Sequence, residues 1–275
     1  MKRTIKILIN VVIPIALIFS AFRYRLFLGV LASSLYIIYI YYINQTRIFE
    51  ILGKYCYSKG NIQKGLFWFR KAYESKRATP YTMVLYAYIL LKNSDIEQAD
   101  EILSKLMQSN LSFADEMNVK SNYALVLWKK GLIDEAVKLL EEVLEKYEHT
   151  TVYGSLGYLL IVAGDLDKAL DFNLKAYEYN NLNTIIIDNL AQVHYLRGEY
   201  DKSMELYEKL MTLKPAFPEA YYNYGLVLLE FKRYQEAYDS MKKALDYDFS
   251  YLSTVSKSEV ESKMKQVECM LKDER

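Results

Sequence analysis

The feature that most constrains this chain is a 34-residue period: blocks cut at Thr150, Thr184 and Pro218 carry the same residue types in the same places without a gap. The eighth places are Gly157, Ala191 and Gly225, the twentieth Ala169, Ser203 and Ala237, and the twenty-seventh Ala176, Leu210 and Ala244. Bulky residues recur between them at the spacing of one helix face, as in Tyr153, Leu156 and Leu160. A period in the thirties with this pattern predicts stacked helical hairpins, because one hairpin cannot bury its apolar face alone and needs neighbours to cover it.

Extended backwards, the same ruler gives six blocks, over 46–79, 80–116, 117–149, 150–183, 184–217 and 218–251. Small residues are needed where the two helices of a hairpin approach closely, and Gly suits a turn that most residues resist. Seven of the ten glycines fall on those two places. After the last block, Ser256 and Glu259 form a capping-box signature flanked by Val255 and Val260. Val260, Met264, Val267 and Leu271 then mark one face of a helix, so residues 252–275 are expected to cap the open end of the stack.

With bulky Tyr221 and Tyr224, small Gly225, Ala237 and Ala244, and turns such as Gly164-Asp165 and Gly198-Glu199, the blocks resemble tetratricopeptide repeats. Lys120 and Asn173 depart from the pattern, standing where a bulky residue and an aromatic are usual. The resemblance implies an all-α fold, a right-handed superhelical array of six hairpins. It also implies a concave groove along the first helices that takes a protein or peptide partner. Carried over place by place, the candidate groove residues are Tyr88, Asn122, Trp128, Ser155, Tyr158, Asn189, Gln192, Tyr195, Tyr222 and Asn223. Asn122, Asn189 and Asn223, with Ser155 among them, share one place and would form a ladder, since a side-chain amide can pair with both groups of a peptide bond. The basic clamp with which some members hold a C-terminal carboxylate is not matched, because Glu50 stands where a cation is wanted.

Ahead of the repeats lie two apolar runs, 5–22 and 26–43, separated by Arg23-Tyr24-Arg25. Each has 18 residues, near the lower limit for a helix crossing about 30 Å of hydrocarbon, so a transmembrane hairpin over 1–45 is expected. Asn10 is the one strongly polar residue inside the first run and is expected to pack against Gly29 or Ser33. A cleaved signal peptide is the rival reading, but no small-residue cleavage site closes the first run. The chain's net charge of +1 conceals an asymmetry: residues 1–47 hold six basic residues and no acid, so the remainder carries −5. Basic residues at both ends of the hairpin place the repeats on the cytoplasmic side of a cell membrane.

Chemistry is sparse. Two histidines, no paired-cysteine spacing, no phosphate loop and no nucleophile elbow leave catalytic, metal and nucleotide mechanisms without their parts, so neither an enzyme nor a cofactor is expected. The mildly acidic array offers no footprint for nucleic acid. Cys56 and Cys269 are expected to be plain, at least half-buried thiols. The chain therefore reads as a membrane-anchored scaffold or adaptor, of bacterial composition, that recruits a protein partner. The alternative is a structural subunit or assembly factor of an envelope or secretion complex acting through its membrane segment.

Overall fold

The computed structural model describes residues 8–273, so Lys2, Arg3, Lys6 and the start of the first apolar run at Ile5 lie outside the described residues. Among those described are fourteen α-helices and no strand, an all-α repeat solenoid. They divide into two compact units, one ending at Tyr86 and the other beginning at Ala87.

The first unit contains α1 (Ile13–Tyr24), α2 (Leu26–Ser58), α3 (Ile62–Tyr73) and the beginning of α4 (Pro80–Lys92). A π-helical turn, Leu8–Val12, leads into α1, which has Pro14 in its first turn. Because helical backbone runs on from that turn, Pro14 withholds an N–H from the carbonyls before it, and the Asn10 carbonyl accepts from the Tyr36 hydroxyl. Arg25 alone, in extended backbone, reverses the chain into α2. Asn10 does not pack on Gly29 or Ser33. Its carbonyl and Oδ1 accept from the hydroxyls of Tyr36 and Tyr39, each at 2.8 Å, because the one-residue turn sets it opposite residues equally far along α2. Gly29 is instead covered by the Phe22 ring.

By length and composition α2, with 33 residues, can cross a bilayer, whereas Leu8–Tyr24 is a shorter apolar helix. No linker follows the apolar stretch. The helix runs on through Asn44 and Gln45 and buries Gly53 and Cys56 in its last turns. Gly53 is required there, as a Cβ would stand 2.9 Å from the Phe69 ring of α3. Glu50 accepts a 2.7 Å hydrogen bond from the Thr82 hydroxyl, so its carboxylate is engaged within this unit.

The second unit follows from the end of α4 through α5 (Ile96–Met107), α6 (Phe113–Lys129), α7 (Ile133–Lys146), α8 (Thr150–Ala163) and α9 (Leu166–Tyr179). It continues with α10 (Thr184–Leu196), α11 (Tyr200–Thr212), α12 (Pro218–Glu230), α13 (Tyr234–Ala244) and α14 (Lys257–Asp273). Polar residues at helix starts fix the boundaries: Asp95, Ser112, Asp165 and Asn183 each accept from a backbone N–H two or three residues on. Gly164 turns one hairpin with φ +90°, and where the pattern lacks glycine Ser94 and Lys232 adopt the same left-handed backbone at φ 66° and 57°. The small residue of the first helix has a local cause. A Cβ on Gly157 would lie 2.3 Å from Asn173 Oδ1 on the facing helix. Asn173 is fully buried and donates to the carbonyls of Gly157 at 3.1 Å and Ala169 at 2.9 Å, while its own Oδ1 has no partner.

The interior holds one core around Leu140, Leu156 and Leu160 and another around Tyr207, Leu228 and Met241, which Val260 and Val267 of α14 join. At the start of α14, Ser256 N–H donates to Glu259 at 2.7 Å and Glu259 N–H to Ser256 Oγ at 3.2 Å. Cys56 is buried, but Cys269 is exposed, because it lies off the Val260–Val267 face of α14.

Candidate functional site

The first helices of successive hairpins, α4, α6, α8, α10 and α12, each contribute to a cavity of about 370 Å³ in the second unit. Aromatic residues dominate one wall. The rings of Trp128 and Tyr158 meet edge to face with centroids 5.3 Å apart, and Tyr88 stands beside them in the lining. Burial pushes the Tyr158 phenol up to about 12, with a hydrogen bond involving Thr254 acting the other way. Leu125, Ile185 and Phe217 supply the aliphatic and aromatic remainder.

The connector between α13 and α14 adds to the lining. Leu252 and Thr254 line the cavity, and the Thr254 N–H donates to Glu219 Oε1 at 3.0 Å. Next to it Lys129 rests its ammonium 3.8 Å from the Trp128 centroid and 4.9 Å from that of Tyr251. Burial lowers the Lys129 ammonium below its ordinary value, against the opposing attraction of Glu219.

A carboxylate also lines the cavity. Asp188 is 6% exposed, and its Oδ1 accepts from the Tyr207 hydroxyl at 3.1 Å and from Asn223 Nδ2 at 3.4 Å. Burial, the dominant cause, pushes its carboxyl up to about 7, and the Glu219 charge adds to this while the two hydrogen bonds oppose it. Tyr207 is likewise raised, by burial first and then by the adjoining Asp188.

Five of the ten residues picked out by sequence line this one cavity: Tyr88, Trp128, Ser155, Tyr158 and Asn189. Asn122, Gln192, Tyr195, Tyr222 and Asn223 are half-buried and do not line it. Each of the three asparagines donates from Nδ2 to a partner within the chain. Asn189 Nδ2 donates to Gly154 O at 2.8 Å, Asn122 Nδ2 to Asn118 O at 2.9 Å, and Asn223 Nδ2 to Asp188. Tyr195 directs its hydroxyl to Glu230 at 3.4 Å, and burial with that carboxylate pushes its phenol up to about 12. Asp188, Glu219 and the connector were missed by sequence reasoning. Asp188 had a signal, an acid directly after Ile185-Ile186-Ile187 on an apolar helix; the connector had none. Among the described residues no group of three His, Cys, Asp or Glu side chains is placed to hold a metal ion.

Comparisons with known proteins agree with this architecture. Residues 123–181 and 218–251 match the tetratricopeptide repeat family, and residues 191–230 match a TPR repeat. The chain is 29% identical over 153 residues to the TPR repeat-containing protein YvcD of Bacillus subtilis, covering 53% of this chain and 32% of that one. It is 27% identical over 169 residues to the TPR repeat-containing protein MJ1428 of Methanocaldococcus jannaschii, covering 60% of this chain and 29% of the other. The chain thus spans about a third of the length of these relatives. In fold it is similar to a solved tetratricopeptide repeat protein from Parabacteroides merdae, with a TM-score of 0.67 at 14% identity over 92% of this chain and 98% of that one.

Proposed function

We propose, from the premise that the chain carries tetratricopeptide repeats, that it is a membrane-anchored adaptor whose groove captures a protein or peptide partner. Such repeats are protein-interaction scaffolds, typically without catalytic activity. The observation that carries the reading is the cavity itself: first helices of consecutive hairpins converge on Trp128, Tyr158 and Tyr88, and buried aromatics supply much of the energy at interface centres. The test places a photo-crosslinking residue at Ser155 or Tyr222 in the groove row and, as a control, at exposed Lys175 on α9. One partner recovered from both groove positions and absent at Lys175 supports the reading. Equal recovery from all three, or none from the groove, overturns it.

The anchor is the apolar start of the chain. Support comes from the 33-residue α2 and from the exposure of large apolar side chains along both arms of the hairpin, including Phe19, Phe27 and Ile37. Leu8–Tyr24 together with the residues before it would supply a second span, and the basic residues flanking the hairpin favour a cytoplasmic side for the repeats. Exposed Cys269 against buried Cys56 gives a direct test. In intact cells a membrane-impermeant maleimide leaves Cys269 unlabelled and reaches it after lysis; labelling in intact cells reverses the orientation.

A further inference from the structure

Asp188 forms no ion pair among the described residues, although it stands in the wall of the cavity and is more than nine-tenths buried. Both of its hydrogen bonds fall on Oδ1, so Oδ2 has none. The polar groups around it are the hydroxyls of Tyr207 from α11 and Tyr158 from α8, and Asn223 and Glu219 from α12; none is a cation. Lys129, which interacts with Glu219, lies over Trp128 and Tyr251 and does not line the cavity. An unpaired buried carboxylate is costly, and the chain supplies it no counter-charge. The same chamber offers aromatic faces, which attract cations, and an apolar passage through Leu125, Ile185 and Phe217 suited to an aliphatic stem.

We propose that this cavity receives a basic side chain of the partner, a lysine or an arginine, with its stem against Leu125 and Ile185, its head beside Trp128 and Tyr158, and its charge on Asp188. The inference rests on the groove reading and gives the partner a chemistry. A volume of about 370 Å³ is within the range of small-ligand sites, and a long flexible side chain fills it without requiring the partner's backbone to enter. The resident contact of Lys129 with Trp128 already shows an ammonium accepted by one of these rings. Because the carboxyl titrates near neutrality when the cavity is empty, an arriving cation must also displace its proton, and binding strengthens with pH.

The full chain, kept in solution in detergent, carries Trp68→Phe so that Trp128 alone reports by fluorescence. It is titrated with n-butylammonium chloride and n-butylguanidinium chloride, which mimic the two side chains, and with 1-butanol and butyrate. Saturable binding of either cation, at least about tenfold tighter than butanol and absent with butyrate, is expected. Affinity for that cation rises by up to about tenfold between pH 6 and pH 8 as Asp188 ionises. Asp188→Asn reduces it by tenfold or more, with circular dichroism confirming the helices; if that variant unfolds, the pH series on the parent decides. Butanol binding as tightly as the cations, or cation binding that ignores pH and Asp188→Asn, overturns the proposal. Partner crosslinking at Ser155 without cation binding removes this inference and leaves the groove; cation binding without any crosslinked partner removes the groove reading instead.

Discussion

The backbone N–H of Tyr251 donates to the carbonyl oxygen of Lys92 at 3.0 Å, fastening the connector after α13 to the end of α4. With Thr254 N–H held by Glu219, the connector is tied at two points beside the cavity it helps to line. Replacing Tyr251 by Pro deletes the first donor. Since a hydrogen bond of this kind contributes on the order of 1 kcal/mol net, amide exchange across residues 249–256 should accelerate about fivefold or more, while α8 to α12 keep their protection. Unchanged exchange in the connector would show that the bond does not hold it.

Asp188 predicts a pH dependence of stability. Its carboxyl is raised to about 7 in the folded chain from an ordinary 3.8. Between those values the native state holds a proton that the unfolded state has released, so stability falls as pH rises through this window and levels off above it. The loss is on the order of 4 kcal/mol at most. Denaturant unfolding of the parent and of Asp188→Asn at pH 5 and pH 8 checks this: the variant, which keeps an acceptor for Tyr207, should gain on the parent at the higher pH. A constant difference would refute it.

Tyr207→Phe removes a hydroxyl that donates to this carboxylate from a fully buried ring. A cost of about 1–3 kcal/mol is expected, larger at pH 8 than at pH 5 because the anion depends on the donor more than the neutral acid does. Combined with Asp188→Asn, the two effects should fall short of additive.

Gly157→Ala places a methyl group 2.3 Å from Asn173 Oδ1 and 3.1 Å from Asn189 Nδ2. Overpacking of this kind costs about 1–3 kcal/mol. Adding Asn173→Ala removes the nearer obstacle, and the double variant should unfold at a higher denaturant midpoint than the sum of the two single losses predicts.

Val260→Asp tests α14. Val260 is fully buried against the core that contains Met241 and Ala244, and an unpaired carboxylate there costs several kcal/mol. The expected outcome is early proteolytic loss of α14 and self-association of the remaining chain, seen by size-exclusion chromatography, as the last apolar face is uncovered. A monomeric, protease-resistant variant would remove the capping role from α14.

The repeat architecture was legible because its causes are local and recur. Gly157 and Gly225 are small for the same reason, a facing side chain pressed against the place a Cβ would take, and the period makes that reason visible in both blocks. The groove was legible in part. Trp128 and Tyr158 were found through their block positions, since position in a hairpin dictates which way a first-helix residue faces. The connector was illegible because it has no period and its placement depends on partners far away in sequence, Lys92 and Glu219. The shared place of the asparagines was legible from the period, but not the bond from Asn189 Nδ2 to the Gly154 carbonyl, which joins residues 35 apart on two stacked hairpins. Asn173 shows the same principle inside the core, where an aromatic is replaced by an amide that spans two helices and leaves its oxygen unpaired.

The unbroken course of α2 from Leu26 to Ser58 has a consequence for how this chain tolerates change in length. Its apolar stretch and the stretch that packs on α3 lie on one screw. Each residue inserted or deleted between Ile43 and Thr46 turns one against the other by about 100° and slides it by about 1.5 Å. Two residues nearly reverse the direction in which α3 is carried, whereas seven come within about 20° of restoring it. Insertions at this junction are therefore counted in turns of helix, and only lengths close to a whole number of turns preserve the azimuth at which α3 is carried.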